Sequence, residues 1–546
     1  MSSTAAIRPT HLDAELATRW RALGVWRDEA LGDTFAATVG RRGTSLAVVD
    51  GGRRWSYREL DDVTRRLATV WRRHGVGPGS AVTVQLPSWW ETIAAIVATW
   101  RVGAVVNPVL PNLRLHELSS ITGEIEPALM VVPETFRGFD YEPMAVELDA
   151  VGSVLVARAG RSSAASSLDA LVAEADPASD ELLRSLRPDP DAAALVLYTS
   201  GTTSVPKGVI HTHNTLRAEA DGIERMHECT DEDVILVTMP FAHVGGLLYG
   251  VLLPVTVGLT AVVLDVWDAD TAIGIAAAER VTMLPGVPVM LQGMLASAAY
   301  DRAALDSVRL FALGGARVDA ADVEFAASAL GCWSKRSYGL TEMPTVTTGP
   351  RTDTAGRLAS TDGVAIGATE VRIVDDDGRD IPRGERGEIL CRGPEMFVGY
   401  VNPALNAPAI APGSWLRTGD VGVLDADGFL VVVDRKKDIV VRGGENISAQ
   451  EVEEVLLRMP QIEDVAIVAM PDPVLGERAC AYVVLRCGPL ELADLVAHLR
   501  AAGVATFKFP ERLEVRTDLP RTPTGKVRKD ELRAEIASAV LDPGSA

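Results

Sequence analysis

The residues with the clearest capacity for chemistry lie in one polar loop that follows an apolar strand. Residues 198–208 read YTSGTTSVPKG, with five hydroxyl side chains in six positions, two glycines and one lysine. Backbone amides, hydroxyls and a cation together can hold a polyphosphate. The loop is not a Walker loop, because Lys207 is not directly preceded by Gly and is not followed by Ser or Thr. An ordinary polar surface loop would explain the hydroxyls but not Lys207 fixed between Pro206 and Gly208. The loop therefore predicts phosphate binding.

Four further motifs follow this loop, and the ordered set resembles the adenylate-forming (ANL) superfamily of acyl-CoA synthetases, aryl-acid adenylating enzymes, nonribosomal adenylation domains and firefly luciferase. The motifs are YGLTE at 338–342, WLRTGD at 415–420, the charged stretch 434–446 with DRKKD and GGEN, and PTGK at 523–526. Five motifs in the same order are far more specific for this superfamily than any one of them alone. The resemblance covers roughly residues 31–536. Residues 85–91 and 211–214 look most like acyl-CoA ligases of the cyclohexanecarboxylate type.

The resemblance implies a set of ligands and roles, with ATP, Mg²⁺ and CoA as cofactors. Glu342 would hold Mg²⁺, which prefers carboxylate and phosphate oxygens, and Thr341 would bond the α-phosphate. Lys526 would meet the charge that develops as the adenylate forms. The other implied nucleotide- and CoA-binding residues are Thr199, Ser200, Gly201, Thr202, Thr203, Lys207, Gly314, Gly315, Ala316, Tyr338, Gly339, Asp420, Arg435, Lys437, Gly443 and Gly444.

The implied acyl pocket is apolar. Its predicted residues, which include His243 as a catalytic candidate, are Phe241, His243, Val244, Gly245, Gly314 and Leu340. Amino-acid activators of the superfamily usually place a carboxylate where His243 stands, and dihydroxybenzoate activators place Asn where Val244 stands. The resemblance therefore implies a hydrophobic aliphatic or alicyclic acid. Ser204, where glycine is usual, and Arg336 before the YGLTE motif depart from the family pattern.

Three functional hypotheses follow. The leading one is an AMP-forming acyl-CoA ligase. The alternatives are an enzyme that loads a carrier protein or performs mainly one half-reaction, and a silent nucleotide- or acyl-binding protein. The pair His211 and His213 does not predict a metal site, because no third ligand is evident.

Composition limits the partners and the compartment. The net charge of −21 over 546 residues argues against a nucleic-acid or anionic-membrane binder. The five scattered cysteines predict neither disulfides nor zinc, which favours a reducing cytoplasm. Residues 244–264 are apolar, but their glycines and Pro254 predict a buried helix, a turn and a strand rather than a membrane span. The partners expected are a carboxylic acid, ATP and CoA, with a homodimer left open.

The elements that must position these residues alternate between buried apolar strands and helices. This pattern predicts an α/β protein with a large N-terminal domain of sheets covered on both faces. Shorter strands with polar turns after residue 370 predict a small β-rich subdomain, and a small mobile α+β domain follows. The predicted boundaries are an extension at 1–30, an AMP-binding domain at 31–434, a hinge at 435–437 and a C-terminal domain at 438–540.

Overall fold

The structure is a computed structural model that describes residues 6–160, 166–199, 206–315, 318–442, 445–522 and 526–541. The chain divides into two compact units. Unit 1 contains Met1–Val371 and Cys391–Leu416, and unit 2 contains Arg372–Leu390 and Arg417–Ala546. The predicted hinge at 435–437 lies inside unit 2.

The strands are as follows. Up to residue 263 they are β1 (Leu46–Asp50), β2 (Arg53–Ser56), β3 (Ala81–Val84), β4 (Val105–Pro108), β5 (Leu129–Pro133), β6 (Thr135–Phe136), β7 (Phe139–Asp140), β8 (Val154–Ala157), β9 (Ala193–Thr199), β10 (Lys207–Thr212), β11 (Val234–Val237) and β12 (Thr260–Val263). Later strands are β13 (Met283–Gly286), β14 (Leu310–Leu313), β15 (Trp333–Leu340), β16 (Met343–Thr348), β17 (Val364–Ala365), β18 (Glu370–Val374), β19 (Arg386–Arg392), β20 (Ile410–Ala411), β21 (Trp415–Leu424), β22 (Leu430–Arg435), β23 (Val440–Arg442), β24 (Glu445–Ile447), β25 (Ile462–Asp472), β26 (Gly476–Leu485) and β27 (Arg512–Arg516).

The helices alternate with these strands. Up to residue 257 they are α1 (Ala14–Ala22), α2 (Leu31–Arg42), α3 (Tyr57–Arg73), α4 (Trp90–Arg101), α5 (Leu115–Ile125), α6 (Tyr141–Val146), α7 (Leu168–Glu174), α8 (Asp180–Ser185), α9 (His213–Met226), α10 (Val244–Leu247) and α11 (Leu253–Val257). The others are α12 (Ala269–Ala278), α13 (Pro288–Ala296), α14 (Ala320–Leu330), α15 (Ala355–Ser360), α16 (Asn406–Ala409), α17 (Ala449–Leu456), α18 (Leu492–Ala501) and α19 (Lys529–Leu541).

Unit 1 is built on two sheets of largely parallel strands. One has the order β17-β16-β15-β14-β13-β11-β12-β1-β2, and the other has the order β10-β9-β4-β3-β5-β8. Strands β3, β4 and β5 are buried along their whole length, as expected for parallel strands covered on both faces. Helix α3 begins at a capping box formed by Ser56 and Glu59, which satisfies two backbone groups at its start. The predicted α/β fold class is confirmed.

Unit 2 contains the small β-rich segment and the C-terminal α+β segment. Strands β18, β19 and β21 are neighbours in that order, and β22 pairs with β21. A second sheet has the order β24-β23-β26-β25, with β27 parallel to β26. Helices α17 and α18 pack on it through a core that includes Val452, Leu456 and Leu495. Helix α17 begins where the sequence predicts, with Ser448 accepting from the Glu451 amide.

The long apolar stretch at 244–264 folds as the sequence predicts. Helix α10 continues through a π-helical turn, Leu248–Leu252, into α11. Gly258 ends α11 with a φ of +93°, a conformation that favours glycine, and β12 follows. Among the described residues, none of the helices combines the length and the apolar character that a membrane crossing requires.

Candidate active site

Strands that carry the predicted nucleotide residues end at one edge of the larger sheet. Strands β11, β13, β14 and β15 run parallel to one another, so the segments that follow them emerge at a common edge. Phe241 follows β11, Gly314 follows β14, and Tyr338 lies in the last part of β15. In open α/β sheets, ligands bind in the crevice beyond this carboxyl edge.

Lys207 begins β10 and is held at the base of the predicted phosphate loop. It is paired with Thr199 across the β9–β10 ladder, so the two described ends of the loop lie side by side. The backbone of residues 208–210 also bonds to residues 398–401, with Val401 N donating to Gly208 O at 2.8 Å. The Lys207 ammonium lies 5.8 Å from the centroid of the Tyr400 ring. Residues 200–205, with the predicted Ser200, Gly201, Thr202 and Thr203, lie outside the described residues.

Glu342 is positioned by the same Tyr400. The Tyr400 hydroxyl donates to Glu342 Oε1 at 2.7 Å, and the Phe397 amide donates to Glu342 O at 2.7 Å. Burial and then the Glu342 charge raise the pKa of Tyr400, so its hydroxyl remains a donor. Tyr400 therefore connects the predicted phosphate-binding lysine with the predicted Mg²⁺ carboxylate.

Thr341 is fixed through its backbone. His211 Nε2 donates to Thr341 O at 2.7 Å, and burial lowers the pKa of His211 to about 4, opposed by this bond. His211 is therefore a neutral positioning group. The Leu31 amide donates to His213 Nδ1 at 3.3 Å, so the two histidines serve different contacts. No group of three or more possible metal-ligating side chains occurs in the part of the chain that the structure describes.

The Glu342 carboxylate suits Mg²⁺ chemically. The carboxylate is half-buried and accepts from the uncharged Tyr400 hydroxyl. Within the described ranges, no Lys or Arg forms an ion pair with it. Carboxylate oxygen is a ligand that Mg²⁺ prefers, usually together with water and substrate phosphates. Glu342 is therefore the residue that would hold the ion.

The residues predicted to contact adenine lie after β14 and in the last part of β15. A side chain at Gly339 would place a Cβ 1.9 Å from Pro344 O, so only glycine permits the tight β15–β16 turn. Gly315 adopts a φ of +72°, and Tyr338 is half-buried at this edge. Ala316 lies outside the described residues.

The predicted acyl wall follows β11. Phe241 is buried, whereas His243, Val244 and Gly245 are half-buried. A Cβ at Gly250 would lie 2.2 Å from Phe241 Cε1. Glycine there lets the aromatic ring pack directly on the π-helical turn, which fixes the position of this wall.

In unit 2 Asp420 pairs with Arg435, and the charges of both residues act on Lys526. Asp420 and Arg435 face each other across the β21–β22 ladder, and Arg435 Nε lies 3.3 Å from Asp420 Oδ1. Desolvation and then the Arg435 charge lower the pKa of Lys526, and the Asp420 charge opposes them. The Lys526 amide donates to Thr522 Oγ1 at 3.1 Å. Residues 523–525 lie outside the described residues, as do Gly443 and Gly444.

The predicted hinge, residues 435–437, overlaps a single 3₁₀ turn, Lys436–Asp438. Asp434 Oδ2 accepts from Ser448 Oγ at 2.8 Å and from the Gln450 amide at 3.2 Å. Lys436 forms ion pairs with Asp376 and Glu388. On the other side of Lys437, Asp438 forms an ion pair with Arg533 of α19, so both neighbours of Lys437 are bonded.

Sequence reasoning missed Tyr400 and the positioning role of His211. Tyr400 lies outside the five motifs, and no local pattern marks it. Its relation to Lys207 and Glu342 arises because residues 398–401 lie beside β10.

Replacing Tyr400 with phenylalanine should weaken MgATP binding with little loss of folding. A hydrogen bond to a charged group contributes about 1.5–3 kcal/mol, so we expect the KM for MgATP to rise about tenfold or more. Steady-state kinetics over a range of MgATP concentrations measures this effect. Tyr300→Phe is the matched control, because that hydroxyl donates to Ala329 O at 2.7 Å away from these residues. An equal effect of both variants would contradict the role of Tyr400.

Comparisons with known proteins identify the family. The AMP-binding enzyme family matches residues 35–401, and the AMP-binding enzyme C-terminal domain matches residues 451–526. The chain belongs to the AMP-binding enzyme family, within the adenylate-forming superfamily that the motifs predict. It is an AMP-forming acid–thiol ligase, which confirms the predicted enzyme class.

Individual relatives cover nearly the whole chain. The medium-chain fatty-acid–CoA ligase of Escherichia coli (strain K12) is 34% identical over 526 residues, covering 95% of this chain and 92% of the relative. The salicylyl-CoA synthase / salicylate adenylyltransferase of a Streptomyces species is 35% identical over 538 residues, covering 95% and 96%. The crystal structure of ATP-bound MatB from Rhodopseudomonas palustris has 27% identity and a TM-score of 0.84, covering 93% and 99%. The likeness to cyclohexanecarboxylate ligases, the cytoplasmic location and the homodimer stay predictions.

Proposed function

We propose that the enzyme uses ATP to activate a carboxylic acid with an apolar aliphatic or alicyclic body as its acyl-adenylate. It then transfers the acyl group to CoA, giving acyl-CoA, AMP and pyrophosphate. The observation that carries the choice of acid is the wall after β11, where Phe241, Val244 and Gly245 are apolar and His243 replaces a carboxylate. Such a wall favours an apolar acyl group.

The first half-reaction brings a carboxylate against the α-phosphate of ATP, so two anions must approach each other. In unit 1, Lys207 offsets phosphate charge, and the Thr341 hydroxyl donates to an α-phosphate oxygen. Mg²⁺, when bound by Glu342, supplies further positive charge at the phosphates. Tyr400 and His211 hold these groups in place, so little reorganisation accompanies the reaction.

Unit 2 contributes the groups proposed for the ribose and the reacting centre. The two Asp420 oxygens accept from the ribose hydroxyls, and Arg435 keeps Asp420 oriented through their ion pair. Lys526 donates to the α-phosphate oxygens and the carboxylate oxygen while negative charge is transferred to pyrophosphate. The thiol of CoA then attacks the adenylate carbonyl, and AMP leaves.

The enzyme should turn over apolar acids and reject their α-amino counterparts. An ammonium beside Phe241 and Val244 would lose its hydration without gaining a carboxylate partner, which is costly. We expect at least a 100-fold lower kcat/KM for an α-amino acid than for the matched acid without the amine. The measurement is a panel of paired acids with ATP and CoA, in which mass spectrometry detects AMP, pyrophosphate and thioester. Efficient turnover of the amino acids would contradict the apolar assignment. Adenylate without CoA thioester would favour a carrier protein as acceptor.

A further inference from the structure

Helix α9 contacts both segments that continue from the proposed acyl wall. It contacts the π-helical turn Leu248–Leu252, which follows Val244 and Gly245, and it contacts β16, which follows Leu340. Its apolar residues Leu216 and Ala220 share one buried cluster with Phe241 and Tyr249. A side chain on this face of α9 therefore lies near the segments that continue from the two predicted walls of the acyl pocket.

Glu219 is the acidic residue at this place. It is fully buried, and both of its oxygens accept from one residue of β16. The Thr345 amide donates to Oε2 at 3.2 Å, and the Thr345 hydroxyl donates to Oε1 at 2.7 Å. In the described parts of the chain, no Lys or Arg forms an ion pair with Glu219. A fully buried carboxyl without a cation is costly for the fold, which calls for an explanation beyond stability.

The surroundings raise the pKa of the Glu219 carboxyl into the neutral pH range. Burial and then the charge of Glu395 raise the pKa of Glu219 to about 8, with the bonds from Thr345 acting in the opposite direction. Burial likewise raises the pKa of Glu395 to about 7. At neutral pH such a group can accept a hydrogen bond from a ligand hydroxyl, and in its protonated form it can also donate one.

Tyr249 brings the π-helical turn into the same neighbourhood. Burial raises its pKa, and the nearby Cys229 and Glu219 groups add to this effect. Its ring stacks on buried His227 with centroids 5.9 Å apart and an interplanar angle of 12°, so its orientation is fixed. The adjacent Gly250 packs against the Phe241 ring. Tyr249 thus lies within electrostatic range of Glu219 and beside the glycine that packs on the Phe241 ring.

We infer that the Glu219 carboxyl, held by Thr345, forms the distal end of the acyl pocket and selects acids that carry a hydroxyl at the far end of an otherwise apolar body. This inference rests on the proposed function. Tyr249 lies in the π-helical turn that continues from α10, six residues beyond His243. The inference therefore places Glu219 at the end of the acyl group remote from the reacting carboxyl, and not beside an α-substituent.

The test compares matched acids that differ only in a distal hydroxyl. Cyclohexanecarboxylate is paired with trans-4-hydroxycyclohexanecarboxylate, and octanoate with 8-hydroxyoctanoate, in ATP–pyrophosphate exchange. We expect the wild type to prefer the hydroxylated member of at least one pair by about tenfold or more in kcat/KM, since an unmade hydrogen bond to a buried polar group costs about 1–3 kcal/mol. Glu219→Leu should reverse that preference, and Glu219→Gln should keep part of it.

Two further variants separate selection from folding. Thr345→Val removes the hydroxyl that orients Oε1 and should lower the preference even where Glu219→Leu folds poorly. Glu224→Gln neutralises another, half-buried carboxyl of α9 and should leave the ratio within about twofold of wild type. A wild type that turns over both acids equally, or a ratio unchanged in Glu219→Leu and Thr345→Val, overturns the inference. A wild type that activates no acid of either pair contradicts the proposed function, and this inference with it.

Discussion

Replacing Lys526 with alanine should lower the rate of acyl-adenylate formation by about 10²–10³-fold, the usual effect of losing a donor that stabilises transition-state charge. Desolvation and then the Arg435 charge lower the pKa of Lys526, and the Asp420 charge opposes them. Alanine removes the cation that meets the charge developing on the α-phosphate. Single-turnover formation of the adenylate from acid and MgATP measures the effect.

The attack of CoA on preformed adenylate should remain largely intact in this variant, because Lys526 is assigned to the first half-reaction alone. Lys529→Ala is a matched control. Lys529 is three residues further along and pairs with Glu453 at 2.7 Å, so its loss removes a lysine of the same segment without removing the proposed catalytic donor. An adenylation rate in Lys526→Ala close to that of wild type would remove Lys526 from the mechanism.

The second large effect is expected from Lys437→Pro. We propose that the segment after residue 437 reorients between adenylation and thioester formation, because the two reactions need different groups at the same carbonyl. A hinge must absorb a large φ/ψ change at a few residues, and proline fixes φ near about −65°. We therefore expect the thioester-forming rate to fall at least about tenfold more than the adenylation rate.

The surroundings of Lys437 make this variant informative. Lys436 forms ion pairs with Asp376 and Glu388, and Asp438 forms one with Arg533, so both neighbours of Lys437 are bonded. Lys437→Ala removes the side chain but leaves the backbone free, and it should retain both rates. Thermal unfolding checks that the proline variant folds. Equal losses in both half-reactions, or none in either, would count against reorientation about Lys437.

The amino-acid sequence by itself determined the family, the fold class and the residues of the local motifs. Lys207 is recognisable because its chemistry depends on neighbours within a few positions, and YGLTE supplies both Thr341 and Glu342 in one turn. The helix, turn and strand of residues 244–264 were also predictable, since glycine and proline spacing acts locally. The resemblance implied that Asp420, Arg435 and Lys526 all serve the nucleotide, whereas the pairing of Asp420 with Arg435 came from the β21–β22 register.

Only the tertiary structure decided which distant side chains complete these motifs. Tyr400 reaches Glu342 across 58 residues, and Glu219 accepts from Thr345 across 126 residues. Neither contact follows from periodicity or spacing, because each depends on how separate elements pack: residues 398–401 beside β10, and α9 against β16. The sequence around Phe241 predicts an apolar wall bordered by His243. The buried Glu219 on α9, which we infer belongs to the same pocket, could not be found from that local sequence.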